Sequence, residues 1–162
     1  MTVSAARTKA SAKGRPRRKA GKAASKRKST AALSIETVKD LSRALSHKTI
    51  LDGVSAALVK SAVDHDVLAL DEVHRFIPKS TFARKVRDHT SLSVEEGDRL
   101  ARLARLKSYA GEVFQSREDA DTWLNEKNPG LRGDAPIDLL LTDEGARRVE
   151  LVLRRIDYGD YS

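Results

Sequence analysis

The chain contains no cysteine, which removes disulfides, thiolate metal sites and a cysteine nucleophile together and fits a reducing compartment. Aromatic residues make up only 4% of the 162 positions. The core must therefore be built from Leu, Val, Ile and Ala, an inventory that suits helices. No run approaches the roughly 20 apolar residues that a membrane helix requires, and a soluble, cytoplasmic protein is expected. No glycine-rich loop follows a strand pattern, and neither a Gly-x-Ser-x-Gly nor a Walker sequence occurs. The four histidines, His47, His65, His74 and His89, are spaced by 18, 9 and 15 residues, so no two share a helix face at the i,i+4 spacing of a metal pair. They read as surface or groove residues. The residues thus point to no catalytic group, no metal and no cofactor, and an enzyme is not expected.

Acid is missing from the first thirty positions. Met1 to Thr30 hold eleven of the chain's 31 Lys and Arg and none of its 23 Asp and Glu, so the other positions carry 20 bases against 23 acids, and the formal charge of +8 conceals a remainder at −3. Lys, Arg, Ala, Ser and Gly dominate residues 1–30. They bury too little apolar surface to offset the entropy of ordering, and disorder is expected. Neither the apolar stretch of a secretory signal nor the amphipathic pattern of a transit peptide is present. A tail that neutralises DNA phosphates without sequence preference and a leader that only solubilises the chain both fit this composition.

Residues 31–90 carry helix signals in short pieces. Ser34 is placed to cap a helix of about three turns in which Ile35, Val38, Leu41 and Leu45 repeat at helical spacing. His47 to Gly53 should break it, and Val54, Leu58 and Ala62 predict a further helix ending near Asp64. Apolar positions continue from Val67 to Ile77, where Pro78 disfavours helical geometry in the residue before it. Leu70 to Phe76, a turn over 77–80 and Ser80 to His89 have the dimensions of a helix-turn-helix, with Ser80 as cap and Phe82 and Val86 facing inward. Lys79, Ser80, Thr81, Arg84, Lys85 and Arg87 would then be available to a DNA groove, arginine to guanine and lysine and hydroxyls to phosphate. Two short helices joined at a proline also occur in many all-α domains, so the pattern alone does not specify DNA.

From Ser91 to Ser162 the helix starts and stops are explicit. Ser93 and Glu96 form a capping box, which predicts a helix from about Val94. Leu100, Leu103, Leu106, Ala110, Val113 and Phe114 put one face of it in the core, while Arg99, Arg102 and Arg105 lie elsewhere and read as a solvated face. Ser116 caps a second helix carrying Ala120, Trp123 and Leu124, and Asn128-Pro-Gly130 ends it. Trp123 reads as a core anchor. Pro136 suits the first turn of a short helix over Ile137 to Leu141. Thr142 caps the last helix, whose stripe is Ala146, Val149, Val152, Leu153 and Ile156, with Arg154 and Arg155 in the final turn and Gly159 as the stop. Tyr158 and Tyr161, three residues apart on a terminus, are poor core material and better anchors for a partner's pocket.

Taken in order, Glu96-Gly-Asp-Arg99, Leu103-Ala-Arg105, Ala110 with Val113-Phe114, Ala120-x-x-Trp123-Leu124, Asn128-Pro, Pro136-Ile-Asp-Leu-Leu140, Thr142-x-x-Gly145-Ala146, Val149 and Leu153-x-Arg155-Ile-x-Tyr158-Gly159 resemble the toxin-binding domain of Xre-MbcA-ParS antitoxins. The resemblance covers nearly all of 91–162. It implies a bacterial type II antitoxin, paired with a RES-domain toxin that consumes NAD and repressing its own operon. It also implies that the C-terminal tail sits at the mouth of the toxin's active site, which makes Arg155, Tyr158, Gly159, Asp160 and Tyr161 the toxin-binding residues. Phe76-Ile-Pro-Lys-Ser-Thr-Phe82 follows the outline of the family's turn and recognition helix. Two positions depart from the pattern: Gln115 stands where a glycine commonly follows the phenylalanine, and Arg132 interrupts a usual Leu-Gly-Gly.

The expected architecture is all-α, with a disordered basic tail over 1–30, a helix-turn-helix-like region over 31–90 and a small helical toxin-binding domain over 91–162. The expected partners are the RES-domain toxin, operator DNA and a second copy of the chain, and no membrane. A nucleoid-associated or transcriptional DNA-binding protein with a basic tail is the alternative.

Overall fold

Short polar residues punctuate this sequence and set where its helices begin. The computed structural model describes residues 35–159, so the expectations for residues 1–30 lie outside the described residues. Among these residues there are nine α-helices: α1 Val38–Ala44, α2 His47–Asp52, α3 Ala56–Asp64, α4 Leu70–Phe76, α5 Lys79–Arg87, α6 Val94–Phe114, α7 Arg117–Asn125, α8 Pro136–Leu139 and α9 Asp143–Asp157. The hydroxyls of Thr37, Ser46, Ser55, Ser93, Ser116 and Thr142 each accept a backbone N–H from the turn that follows. Each satisfies a donor that a first helical turn leaves without an intrahelical partner. The remaining pairing is one isolated β-type bridge, Ser55 to Ser91, flanked by Leu92 N–H donating to Val54 O at 2.7 Å. No described helix is long and apolar enough to cross a membrane.

The structure corrects three boundaries in the first half. The first helix begins at Val38 with Thr37 as its cap, not near Ser34, and spans seven residues. Ile35 is buried all the same, because a residue in the extended entry packs under the helix as an apolar staple does. His47 to Asp52 is not a break but the helix α2, opened by Ser46 and stopped by Gly53 at φ 94°. Finally, α5 starts at Lys79 with Pro78 in the capping position, so Ser80 lies inside its first turn and Asp88 closes it.

The longest helix organises the rest. α6 runs for 21 residues and packs against α1, α2, α4, α7 and α9. Leu100, Leu103, Ala104, Leu106 and Ala110 are buried along it, and Ile77, Leu124, Leu131, Ile137, Leu140, Val149 and Leu153 close on that stripe from the other elements. Gly97 permits the close approach of α2 and the segment after it, since a β-carbon there would come within 3.1 Å of Val54 Cγ2 and 3.6 Å of Ile50 Cγ2. Trp123 is half-buried and packs at the edge of the core against Phe114, ring centroids 5.7 Å apart. At the start of α6, burial pushes the Glu96 carboxyl up, but the Ser93 amide and the Lys85 ammonium outweigh it and hold its pKa below the ordinary value. The Lys85 ammonium lies 3.0 Å from that carboxylate, fastening α5 to α6.

The two departures from the family pattern fall at left-handed backbone positions. Gln115 caps α6 at φ 52°, and Arg132 follows the 3-10 turn Pro129–Leu131 at φ 63°. A residue with a β-carbon is strained there and a glycine is not. Gln115→Gly is therefore expected to stabilise the protein by about 0.5–1 kcal/mol. The check is a higher urea midpoint at unchanged slope; an unchanged midpoint would mean that contacts of the Gln115 side chain offset the strain.

Candidate functional site

The free end of α9 gathers the residues singled out for a partner. Thr142 Oγ1 accepts the Gly145 amide at 3.1 Å to open this helix. Ala146, Val149, Val152 and Leu153 then bury its inner face, and the two ends are tied to α6. Arg102 pairs with Asp143 in the first turn and with Asp98 at 3.1 Å. The Tyr109 hydroxyl donates to Asp157 Oδ2 at 3.4 Å in the last turn. The Tyr109 hydroxyl is held above its usual pKa, first by burial and then by the Asp157 charge. α9 thus runs in the same direction as α6. Arg102 was expected on a solvated face; it is buried instead, because the start of α9 covers it.

Where α9 stops, the Tyr158 amide donates to Arg154 O at 3.0 Å and the Gly159 amide to Ile156 O at 3.1 Å, with Gly159 at φ 74°. This left-handed glycine is a helix stop. Tyr158 is 79% exposed and does not fold back on the helix. Arg155 is exposed, with no acidic partner among the described residues. Arg155, Tyr158 and Gly159 therefore lie together at the free end, while Asp160 and Tyr161 lie outside the described residues.

The α4–α5 pair presents the residues considered for DNA in three states. Lys79, Ser80 and Arg84 are exposed and Thr81 half-exposed on the first two turns of α5, with Phe82 buried beneath them. Lys85 is drawn inward, donating to Ser91 O at 3.0 Å as well as meeting Glu96. Arg87 points to solvent and bonds Asp88 at 3.0 Å, a contact that lowers the pKa of that carboxyl and raises that of the guanidinium. An exposed pair of this kind is easily exchanged for another anion. His74 is half-buried and sets its ring edge-on to Phe82, centroids 6.0 Å apart.

Between these two regions lies a buried charge cluster. The Lys107 ammonium, on α6, donates to Glu72 Oε1 and Oε2 at 2.7 and 2.9 Å. Asp121 Oδ1 of α7 is 2.8 Å away, a charge contact rather than a directed hydrogen bond. Glu72 also accepts the Ala69 amide at 2.9 Å and so starts α4. The Lys107 and Glu72 side chains are each only 3% exposed. The sequence held one sign of this: Lys107 falls in the apolar register of Leu103 and Ala110, where a solvated lysine does not belong. Its partner stands 35 residues earlier and left no trace. Among the described residues no group of three His, Asp or Glu is placed to hold a metal ion.

The sequence pattern described as "Antitoxin Xre/MbcA/ParS C-terminal toxin-binding domain" matches residues 110–159, from the second half of α6 through Gly159. The chain is 31% identical over 113 residues to "Antitoxin Xre" of Pseudomonas putida, covering 70% of this chain and 71% of that protein. It is 29% identical over 92 residues to "Prs ADP-ribosylating antitoxin" of a Sphingobium species, covering 51% and 58% of the two. It is 30% identical over 87 residues to "Antitoxin Xre" of Yersinia enterocolitica, covering 53% and 59%. With the capped helices, the closing glycine and the exposed terminal tyrosine all in the matched span, the chain belongs to the Xre/MbcA/ParS family of antitoxins of toxin-antitoxin systems.

Proposed function

We propose that this antitoxin neutralises a RES-domain toxin that consumes NAD, with its C-terminal tail blocking the toxin's active site. The supporting observation is the end of α9, where Tyr158 is 79% exposed and Gly159 takes the left-handed conformation that stops a helix. A tyrosine offers a large contact area with few rotamers to freeze. One relative carries ADP-ribosylation of Prs in its name, and ADP-ribosyl transfer draws its ADP-ribose from NAD. The antitoxin would also bind operator DNA as a dimer through α5, with Lys79, Ser80, Thr81 and Arg84 at the groove and Arg87 exchanging Asp88 for phosphate, and so repress its own operon.

The test expresses the protein encoded beside this gene, alone and with the antitoxin, and follows growth and cellular NAD. The full chain is expected to restore both, and a chain ending at Asp157 to restore neither while binding operator DNA with unchanged affinity. Full rescue by the shortened chain would remove the tail from the mechanism. If the neighbouring protein leaves NAD untouched, the NAD-consuming partner is wrong.

A further inference from the structure

The outward side of α9 carries more than the tail residues. On a helix of 3.6 residues per turn, Arg147, Arg148, Leu151, Arg154, Arg155 and Tyr158 fall within an arc of about 120° centred on Leu151, opposite the buried stripe. Leu151 is 55% exposed and Tyr158 79%. One exposed leucine is ordinary on any surface. Here it stands two turns before the terminal tyrosine on the same arc, with guanidinium groups on both sides.

Of those guanidiniums, Arg154 is paired with Glu150 and the other three are not spent internally. The acids of α9 are engaged elsewhere: Asp143 with Arg102, Glu150 with Arg154 at 2.7 Å, and Asp157 with Tyr109. Only Glu144, in the first turn, adds an acid to the arc. Arg147, Arg148 and Arg155 have no acidic partner among the described residues, and the exposed Arg105 of α6 lines a hollow with Arg147, Asp143 and Glu150. Beyond residue 30 the chain is net −3, so this face opposes the charge of the body that carries it. Arginine and tyrosine on a flat face with an apolar centre are what a protein interface concentrates.

We infer that the outward arc of α9 is a docking face for an acidic surface of the toxin with an apolar hollow for Leu151. This rests on the reading of a toxin partner and divides its recognition in two. The arc holds the toxin, and the tail beyond Gly159 blocks it. Binding and inhibition are then separable, because the arc is complete before the tail begins and Tyr158 joins the two.

The test titrates the purified toxin with four full-length chains or their shortened form, reading affinity and toxin NAD consumption separately. The chain ending at Gly159, which keeps the whole arc, is expected to bind within about tenfold of the full chain and to leave NAD consumption running. Arg147→Glu/Arg148→Glu and Leu151→Glu are each expected to weaken binding by about 100-fold or more, in the range of lost interface anchors. The charge-neutral Arg147→Gln/Arg148→Gln, which cannot disturb the helix by repulsion, should fall between the full chain and the glutamate variants and lose part of the salt dependence. Circular dichroism confirms that α9 persists in each. If the glutamate variants bind as tightly as the full chain, the docking face is wrong although the toxin partner stands. If they lose operator DNA instead and keep the toxin, the arc is a phosphate-binding face and the inference fails. If the unaltered full chain does not bind the toxin, the underlying reading fails with it.

Discussion

Lys107→Met is expected to destabilise the protein by about 3–5 kcal/mol, because it leaves Glu72 and Asp121 facing each other without the ammonium between them. The magnitude follows from burial: both Lys107 and Glu72 side chains are 3% exposed, so water cannot replace the lost charge. Glu72 would keep only the Ala69 amide at 2.9 Å. For a body of this size the melting temperature should drop by roughly 10 °C or more. Glu72→Gln on the same background keeps an acceptor for that amide while removing one carboxylate, and should recover about 1–3 kcal/mol of the loss. A double-mutant cycle by urea unfolding measures the coupling. Independent, additive effects would show that the three groups do not act as one cluster.

Gly145→Ala is expected to cost about 3 kcal/mol, at the upper end of overpacking losses. A β-carbon at this position would overlap the carbonyl oxygen of Leu139 and come within 2.8 Å of its carbon. The obstacle is backbone, which cannot rotate aside, so α8 and α9 must separate. The Gly145 amide would survive the change and still reach Thr142, so the loss is steric and not a lost cap. Gly111→Ala serves as the comparison, since nothing lies within 4 Å of a β-carbon there and the helix interior gains about 1 kcal/mol from alanine. Opposite signs at the two glycines, by thermal or urea unfolding, support this account. Equal effects would count against it.

Much of the second half was legible because its helices announce themselves. Ser93, Ser116 and Thr142 each precede a helix they cap, and Gly159 follows the last. Local chemistry decides such boundaries, and local chemistry is what a sequence displays. The first half misled where periodicity crossed a boundary. Ile35 keeps helical spacing with Val38 and Leu41 yet precedes the helix, since burial and helix membership are separate properties. His47 to Asp52 is too short to show a period, and its cap, Ser46, is legible only once the helix is known. Arg102 and Lys107 were obscure for another reason. Their partners Asp143 and Glu72 lie 41 and 35 residues away, and no local pattern encodes a meeting across the fold. The family's glycine preference was visible at 115 and 132, while its cause, a left-handed turn, required the backbone.

The continuity of α6 bears on how this antitoxin is removed from a cell. The helix packs on α1, α2 and α4 before it on the chain and on α7 and α9 after it. The short segment 88–93 that joins α5 to α6 is tied back to the body, the Leu92 amide donating to Val54 O at 2.7 Å and Lys85 to Ser91 O at 3.0 Å. A protease that acts on opened chain must then unravel the shared helix, and both faces are lost together. If α5 holds operator DNA as proposed, turnover would release no fragment that keeps the operator shut after the capacity to hold the toxin is gone. Under the proposed function, repression and protection would lapse in the same event, and fresh transcription could answer as soon as the guard is down.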